Sequence, residues 1–383
     1  MKTYRIGVVG ITRRGTIARS YLPPGVAITA VADIDQAALD GVEEDVFKTR
    51  DYKELLARKD VDGVFLMTRD PLHEEMGVAA LKAGKAVYLE KPMAITIEGC
   101  DRLLEAAYRS GAKLFLGHNM RYMPVVLKMK EIIDAGLIGK VQVVWCRHFI
   151  GYGSCYFRHW CSERANTTGL LLQKGAHDID VIHWLSGACA RRVVGMGKLS
   201  VYDKCPRRPP DTPPDREIAW RDSSWPPLEQ SGLSPIIDIE DSTMIMMELS
   251  NGVQASYQQC FYTPDSERNY TFIGTHGRIE NIGDHGACEV HAWTRRGPRA
   301  TPDVIYKLKE VEGGHGGADP AIVKAFIEFA RDGVVPNTSP IDARNAVAVG
   351  VLGHESLRGG NLPKDIPSIP RKILDYFHNG QKK

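Results

Sequence analysis

The stretch that most limits the fold is the amino-terminal run Tyr4-Arg5-Ile6-Gly7-Val8-Val9-Gly10, a short β-branched segment that delivers the chain into a turn, Ile11-Thr12-Arg13-Arg14-Gly15. A helical pattern opens from that turn over 16–22, and a second apolar segment over 27–32 ends at Asp33. Strand, glycine turn, helix, strand and acid in this order describe a βαβ unit that binds a dinucleotide. The turn and helix start hold the pyrophosphate, and the acid holds a ribose diol. The glycine pattern is imperfect. Gly10 supplies the tight turn, but Thr12 stands where a second glycine normally lets the backbone approach the phosphates. Asp33 favours NAD, because a carboxylate there repels the extra phosphate of NADP. Arg13 and Arg14 could offset that repulsion, which leaves NADP open.

A second informative run is Val87-Tyr88-Leu89-Glu90-Lys91-Pro92. Preceded by an amphipathic pattern over 72–83 and followed by another over 96–110, it reads as a buried parallel strand with two charges at its carboxyl end. In open α/β sheets that end is where ligands sit. Pro92 disfavours helical dihedrals at Lys91, which places the lysine in an extended turn above the sheet. The competing reading is a solvated Glu-Lys pair ahead of a helix-starting proline.

At 383 residues the chain is long enough for two domains with a large buried core. Its net charge of +2 gives no field that would imply a nucleic acid or an acidic membrane as partner. No apolar run approaches the length of a membrane span, and Met1 leads almost directly into the first strand without a signal peptide. A soluble, cytoplasmic protein is expected. Eight cysteines lie scattered without regular spacing, which in that compartment reads as reduced thiols. Cys146, His148, Cys155, His159 and Cys161 are close in sequence but divide between an apparent strand and an irregular loop. A tetrahedral site would need them to converge, so no metal is expected.

Alternating strands and helices continue through a strand over 63–67 and another over 113–117, after which 118–122 leads to a helix over 124–135 stopped by Gly136. The domain crossing is placed near residue 122, giving a first domain over 1–122 and a second over 123–383. Beyond the crossing, long strands are expected over 141–148, 191–201, 243–249, 253–262 and 270–281, forming a large, mostly antiparallel open sheet. Asn251-Gly252 marks a tight hairpin between two of them. Val253, Ala255, Tyr257, Gln259 and Phe261 share one strand face, which should be covered. Residues 206–235 hold eight of the 22 prolines together with Trp220 and Trp225, which excludes regular helix or central strand. A lid over substrate, an arm on a neighbouring subunit and a loose surface insertion remain open for this segment.

From 169 to 185 the pattern suits one helix on which Gln173, His177, Asp180 and Trp184 share a face. Asp180 could orient His177 or bind a hydroxyl. Lys174 could contact substrate or form an exposed i,i+4 pair with Asp178. Arg158, Trp160, Arg164 and His315 are weaker substrate candidates, with Trp160 suited to stacking on a sugar face.

The amino-terminal turn, Glu90-Lys91-Pro92, the run from Gly169 through Gln173-Lys174-Gly175-Ala176-His177-Asp178-Ile179-Asp180 and the ending Ser356-Leu357-Arg358-Gly359-Gly360 together resemble the Gfo/Idh/MocA oxidoreductases, a family that includes glucose-fructose oxidoreductase and inositol dehydrogenase. The resemblance spans nearly the whole chain. It implies an α/β protein with an N-terminal Rossmann dinucleotide-binding domain and a C-terminal α+β domain, the segment from about 355 returning toward the first domain. It implies Lys91 and His177 as catalytic residues. Gly10, Thr12, Arg13, Arg14, Asp33, Thr68, His73, Glu90, Lys91 and Asn119 are then expected around the cofactor. Lys91, Arg121, Tyr122, Trp160, Gln173, Lys174, His177 and Asp180 are expected around a sugar, inositol or related polyol. The family's sheet packs on a partner subunit, which implies a homodimer or homotetramer. One departure matters: where the family commonly has an acid four positions before the histidine, this chain has Gln173, which cannot take a proton. Two alternatives stand beside a dehydrogenase: an NAD-dependent glycoside-cleaving enzyme using transient oxidation and elimination, and a non-catalytic dinucleotide-binding sensor.

Overall fold

The computed structural model describes residues 3–213 and 225–382. The chain divides into two compact units, the first formed by 1–123, 312–344 and 368–383, the second by 124–311 and 345–367.

The first unit is built on a six-stranded parallel sheet of β1 (Tyr4–Val9), β2 (Val26–Ala32), β3 (Phe47–Thr49), β4 (Gly63–Leu66), β5 (Ala86–Leu89) and β6 (Leu114–Leu116), in the order β3-β2-β1-β4-β5-β6. Strand order reverses between β2 and β4 around β1, which opens a crevice at the carboxyl ends of β1 and β4, the doubly wound arrangement that suits a nucleotide. β4 and β5 are buried on both faces, as expected of parallel strands covered by helices. The expected boundary at residue 122 captures only the first crossing, because the chain returns at 312. Helix Ala318–Ile327 buries Ile322, Val323, Phe326 and Ile327 in the core of this unit. Phe326 meets Phe65 edge-on at 4.9 Å and also packs against Tyr88 and Phe115. Burial of one such ring is worth about 1.5–3 kcal/mol, enough to fix where a helix of ambiguous allegiance docks.

The second unit carries a nine-stranded sheet: β7 (Val141–Ile150), β8 (Ala190–Lys198), β9 (Ser242–Leu249), β10 (Gln254–Cys260), β11 (Ser266–Gly274), β12 (Arg278–Ile282), β13 (Glu289–Trp293), β14 (Val304–Lys307) and β15 (Lys364–Asp365). They are ordered β14-β13-β12-β11-β7-β10-β9-β8-β15. All described pairings are antiparallel except β7 with β10. The strand expected over 270–281 is instead a hairpin of β11 and β12, closed where the Gly274 amide donates to the Gly277 carbonyl at 2.8 Å. The helix expected over 169–185 is two, Leu170–Gln173 and Gly175–Ser186, separated at Lys174.

Val253, Ala255, Tyr257, Gln259 and Phe261 are all buried. Their cover comes from this chain, since Asp178 of helix Gly175–Ser186 bonds directly to Tyr257. The opposite face presents Met196, Met244 and Met246, each more than half exposed, with Trp145 at 39%. Of the proline-rich segment, Trp220 lies outside the described residues. Its flanks are docked: Leu233 is fully buried in a cluster with Phe157, Tyr202 and Phe261, and Arg158 donates to Gln230 Oε1 at 2.6 Å and to the Ser231 carbonyl.

Candidate active site

The nucleotide turn is sterically determined. Gly10 has φ +80°, and a Cβ there would lie 2.5 Å from the Met67 carbonyl oxygen; a Cβ on Gly15 would lie 1.9 Å from the Gly10 oxygen. Thr12 sits at φ −94°, ψ 168°, ordinary extended backbone, so the missing second glycine costs the turn no strain. Asp33, just past β2, accepts from the Ile11 amide at 2.9 Å and the Asp35 amide at 3.0 Å, which fixes the acid against the turn.

Arg13 is exposed at φ +49°. Arg14 turns inward, its Nε 2.7 Å from Glu90 Oε1 and its Nη1 2.7 Å from Asp319 Oδ1. Both carboxylates are nearly buried, and burial without such a partner would be expensive. Arg14 is thus spent on protein carboxylates, which weakens its expected service to an NADP phosphate. Glu90 Oε2 also accepts the Lys91 amide at 3.1 Å, setting the backbone from which the half-buried lysine leaves. Asn119 donates to Asp319 Oδ1 at 3.1 Å, while its own Oδ1, Thr68 Oγ1 and Asp70 Oδ2 are buried with no hydrogen-bond partner among the described residues. Such atoms fit a site that meets the hydroxyl, amide and phosphate groups of a dinucleotide. Asp70 has its pKa pushed up to about 6, chiefly by burial.

Other expected residues are committed elsewhere. His73 is fully buried, with Nδ1 2.7 Å from the Pro92 carbonyl and Nε2 3.0 Å from the Thr68 carbonyl; it ties two loops together instead of facing a ligand. Arg121, expected at the substrate, is 1% exposed and donates to the Asn337 carbonyl at 2.6 Å and Asp342 at 2.9 Å. A guanidinium at that depth must be paired, and these partners lie within its own unit. Tyr122 packs its ring against the core of the first unit.

In the second unit Gln173 and His177 are half-buried, and Asp180 is 1% exposed. Trp160 lies against the cluster around Phe157 and Phe261, so packing accounts for it. Arg158 and Arg164 anchor the segment after residue 229; Arg164 Nε donates to the Asp238 carbonyl at 2.5 Å.

Lys174 is buried, not part of an exposed pair: its Nζ donates to the Tyr152 hydroxyl at 2.9 Å and lies over the Tyr152 and Tyr156 rings. Burial pulls its pKa down to about 7. Asp178 is fully buried, its carboxylate accepting from Tyr257 at 2.9 Å and from Tyr270, with His148 Nδ1 at 3.0 Å and Arg268 Nε at 3.2 Å. Arg268 also reaches Asp284 at 3.0 Å. His148 is held neutral, its pKa pushed down to about 4 mainly by burial, while the cationic and hydroxyl donors hold Asp178 well below the usual carboxylate range. Residue order gave little warning of this network. The one available signal was that Cys146, His148, Tyr257 and Gln259 alternate with strand period toward the covered face.

Family models match the two parts of the chain: residues 4–118 fit the oxidoreductase family's NAD-binding Rossmann fold and residues 130–364 its C-terminal alpha/beta domain. The chain belongs to the Gfo/Idh/MocA oxidoreductase family. Its amino-terminal domain is an NAD-binding Rossmann domain. An inositol 2-dehydrogenase from Salmonella paratyphi B is 34% identical over 194 residues, spanning 48% of this chain and 54% of that relative. The match therefore covers about half the length of that curated relative. Among solved structures, myo-inositol 2-dehydrogenase from Lactobacillus plantarum has TM-score 0.71 at 19% identity, covering 96% of this chain and all of that one. Levoglucosan dehydrogenase in complex with NADH and L-sorbose has TM-score 0.77 at 18% identity, with coverage of 96% and 100%. Among the described residues no helix is long and apolar enough to cross a membrane, and no group of three or more His, Cys, Asp or Glu side chains is placed to hold a metal ion.

Proposed function

We propose that the protein is an NAD(H)-dependent dehydrogenase acting on a secondary alcohol of a sugar, inositol or related polyol. The observation that carries this reading is the Glu90-Lys91 turn at the carboxyl end of β5, pinned by Arg14 to the nucleotide turn, in a unit where Thr68 Oγ1, Asp70 Oδ2 and Asn119 Oδ1 are buried without a hydrogen-bond partner among the described residues. The inositol 2-dehydrogenase relative supports the substrate class. Bound NAD would supply the hydride acceptor. Gly10, Thr12 and Arg13 would cradle its pyrophosphate, Asp33 its ribose, and Thr68 and Asn119 its remaining polar groups. Lys91 stabilises the alkoxide-like oxygen by charge and hydrogen bonding, work whose value rises where water is excluded. His177 serves the reacting hydroxyl as an acid/base group, a place suited to neutral imidazole with an ordinary pKa near 6.5. Gln173, Lys174 and Asp180 bind the remaining hydroxyls.

Purified protein is expected to change nicotinamide absorbance with at least one member of a panel of sugars, polyols and keto-sugars. Silence across the panel would remove the reading. The exposed Trp145, Met196, Met244 and Met246 on the open face of the second sheet support a homo-oligomer formed through that face, and Met244→Asp is expected to lower the mass measured by light scattering.

A further inference from the structure

Between β14 and helix Ala318–Ile327 the chain reads Gly313-Gly314-His315-Gly316-Gly317. Four glycines surround one histidine, and it is the histidine that takes φ +52°, a left-handed conformation uncommon for a residue with a side chain. Strain of this kind gathers at functional sites, where the surrounding structure holds it. What holds it here is Asp319. His315 Nδ1 lies 2.9 Å from Asp319 Oδ2, and Gly314 must lack a side chain for this contact to close, since a Cβ there would lie 2.3 Å from the same oxygen.

Asp319 is 3% exposed, yet the imidazole it holds is about half exposed. The other oxygen of Asp319 takes Arg14 of the nucleotide turn and Asn119, and Arg14 continues to Glu90 beside Lys91. The Gly314 amide faces the Tyr21 hydroxyl at 3.3 Å. Among the described residues the charged and titratable groups linked to the ring are therefore Asp319 in the first turn of the helix that follows, Arg14 and Tyr21 from the nucleotide motif, and Glu90 behind Arg14. A buried carboxylate on Nδ1 fixes the tautomer and leaves Nε2 as the outward, basic nitrogen.

We propose that His315, oriented by Asp319, is a substrate-contacting acid/base residue of the nucleotide-binding unit, additional to Lys91 and His177. The proposal rests on the dehydrogenase reading and deepens it. As the carbinol hydrogen leaves carbon with its electron pair for NAD⁺, the O–H bond breaks and its pair becomes the second bond of the ketone. The proton goes to Nε2 of His315, and Asp319 stabilises the resulting imidazolium through Nδ1–H. Reduction runs the same steps backwards. Position 173, where the family commonly carries an acid, holds an amide in this chain; His315 has in Asp319 the carboxylate partner that Gln173 cannot be.

Two measurements test this. In protein labelled at histidine, with His315→Gln used to assign the ring signals, saturating NADH is expected to shift the His315 resonances. In NAD⁺-linked oxidation of myo-inositol and glucose, His315→Gln is expected to lower kcat about 10²-fold while leaving NADH affinity within about twofold, and to remove one protonation from the acid limb of kcat/KM. Asp319→Asn should move that limb to lower pH. Ring signals unmoved by NADH, or a His315→Gln enzyme with full kcat and the wild-type pH limb, would overturn the proposal. If wild-type protein oxidises neither compound, the dehydrogenase reading loses its support on these substrates, and the NADH shift alone decides whether the dyad faces the cofactor.

Discussion

The polar cluster of the nucleotide-binding unit and that of the second unit use the same side-chain types, and they differ in what is left over. Around Asp178, His148, Tyr257, Tyr270 and Arg268 converge on a single carboxylate in the interior, and the helix that carries His177 is thereby bolted to its sheet. Around Arg14, by contrast, Glu90 and Asp319 share one guanidinium while Thr68 Oγ1, Asp70 Oδ2 and Asn119 Oδ1 have no hydrogen-bond partner among the described residues. The lesson is that buried charge does not locate chemistry on its own. A buried carboxylate engaged on both oxygens holds structure, whereas buried acceptor oxygens left open are shaped for something that arrives from outside.

Four variants or conditions sharpen that contrast. Lys91→Ala is expected to cut kcat by about 10³-fold while NADH affinity stays within about twofold, because on the proposed reading the lysine acts on the developing oxyanion; turnover assays paired with calorimetric NADH titration check it. Asp178→Ala should destabilise the second unit by about 3–5 kcal/mol in urea unfolding, since Arg268 is left buried with less of its compensation.

Acid should loosen the same unit. The folded-state pKa of His148 lies below its unfolded value, so the unfolded chain binds the extra proton first and stability falls as pH drops from about 6.5 toward 4. The loss is worth about 3 kcal/mol from this residue, and His148→Gln should flatten that part of the profile. Asp178 adds its own loss only at lower pH, because its pKa is depressed from an ordinary carboxylate value.

Asp70 carries the opposite sign. Its folded-state pKa is raised to about 6, so ionisation costs stability as pH rises through about 4 to 6. Asp70→Asn is therefore expected to stabilise the first unit at pH 7 by up to about 3 kcal/mol. Destabilisation by several kcal/mol would show that Asp70 is a fully engaged structural carboxylate like Asp178.

Much of the first unit was legible because its signals are local: the glycine turn, the strand ending in Glu90-Lys91 and the acid at 33 each follow from a few consecutive residues. The return of Ala318–Ile327 to that unit was not, since an amphipathic helix shows that it must dock but not on which core; Phe326 against Phe65 and Tyr88 decides it. The surroundings of charged candidates were least legible. Arg121, Arg158 and Lys174 look solvated in sequence, and each is buried on a partner far along the chain or on an aromatic pair. The break at Lys174 was also invisible, because the helical pattern continues across it.

On the proposed reading, the crevice at the carboxyl ends of β1, β4 and β5 receives the nicotinamide cofactor, and Lys91 and His177 act on one substrate carbon. A crystal structure with NADH and a bound polyol tests it most directly. The expected result is the pyrophosphate against the turn from Gly10 to Gly15, the nicotinamide beside Lys91, and the Lys91 ammonium and His177 imidazole within hydrogen-bond reach of the same substrate oxygen. A nucleotide bound elsewhere, or those two groups reaching different parts of the ligand, would contradict it.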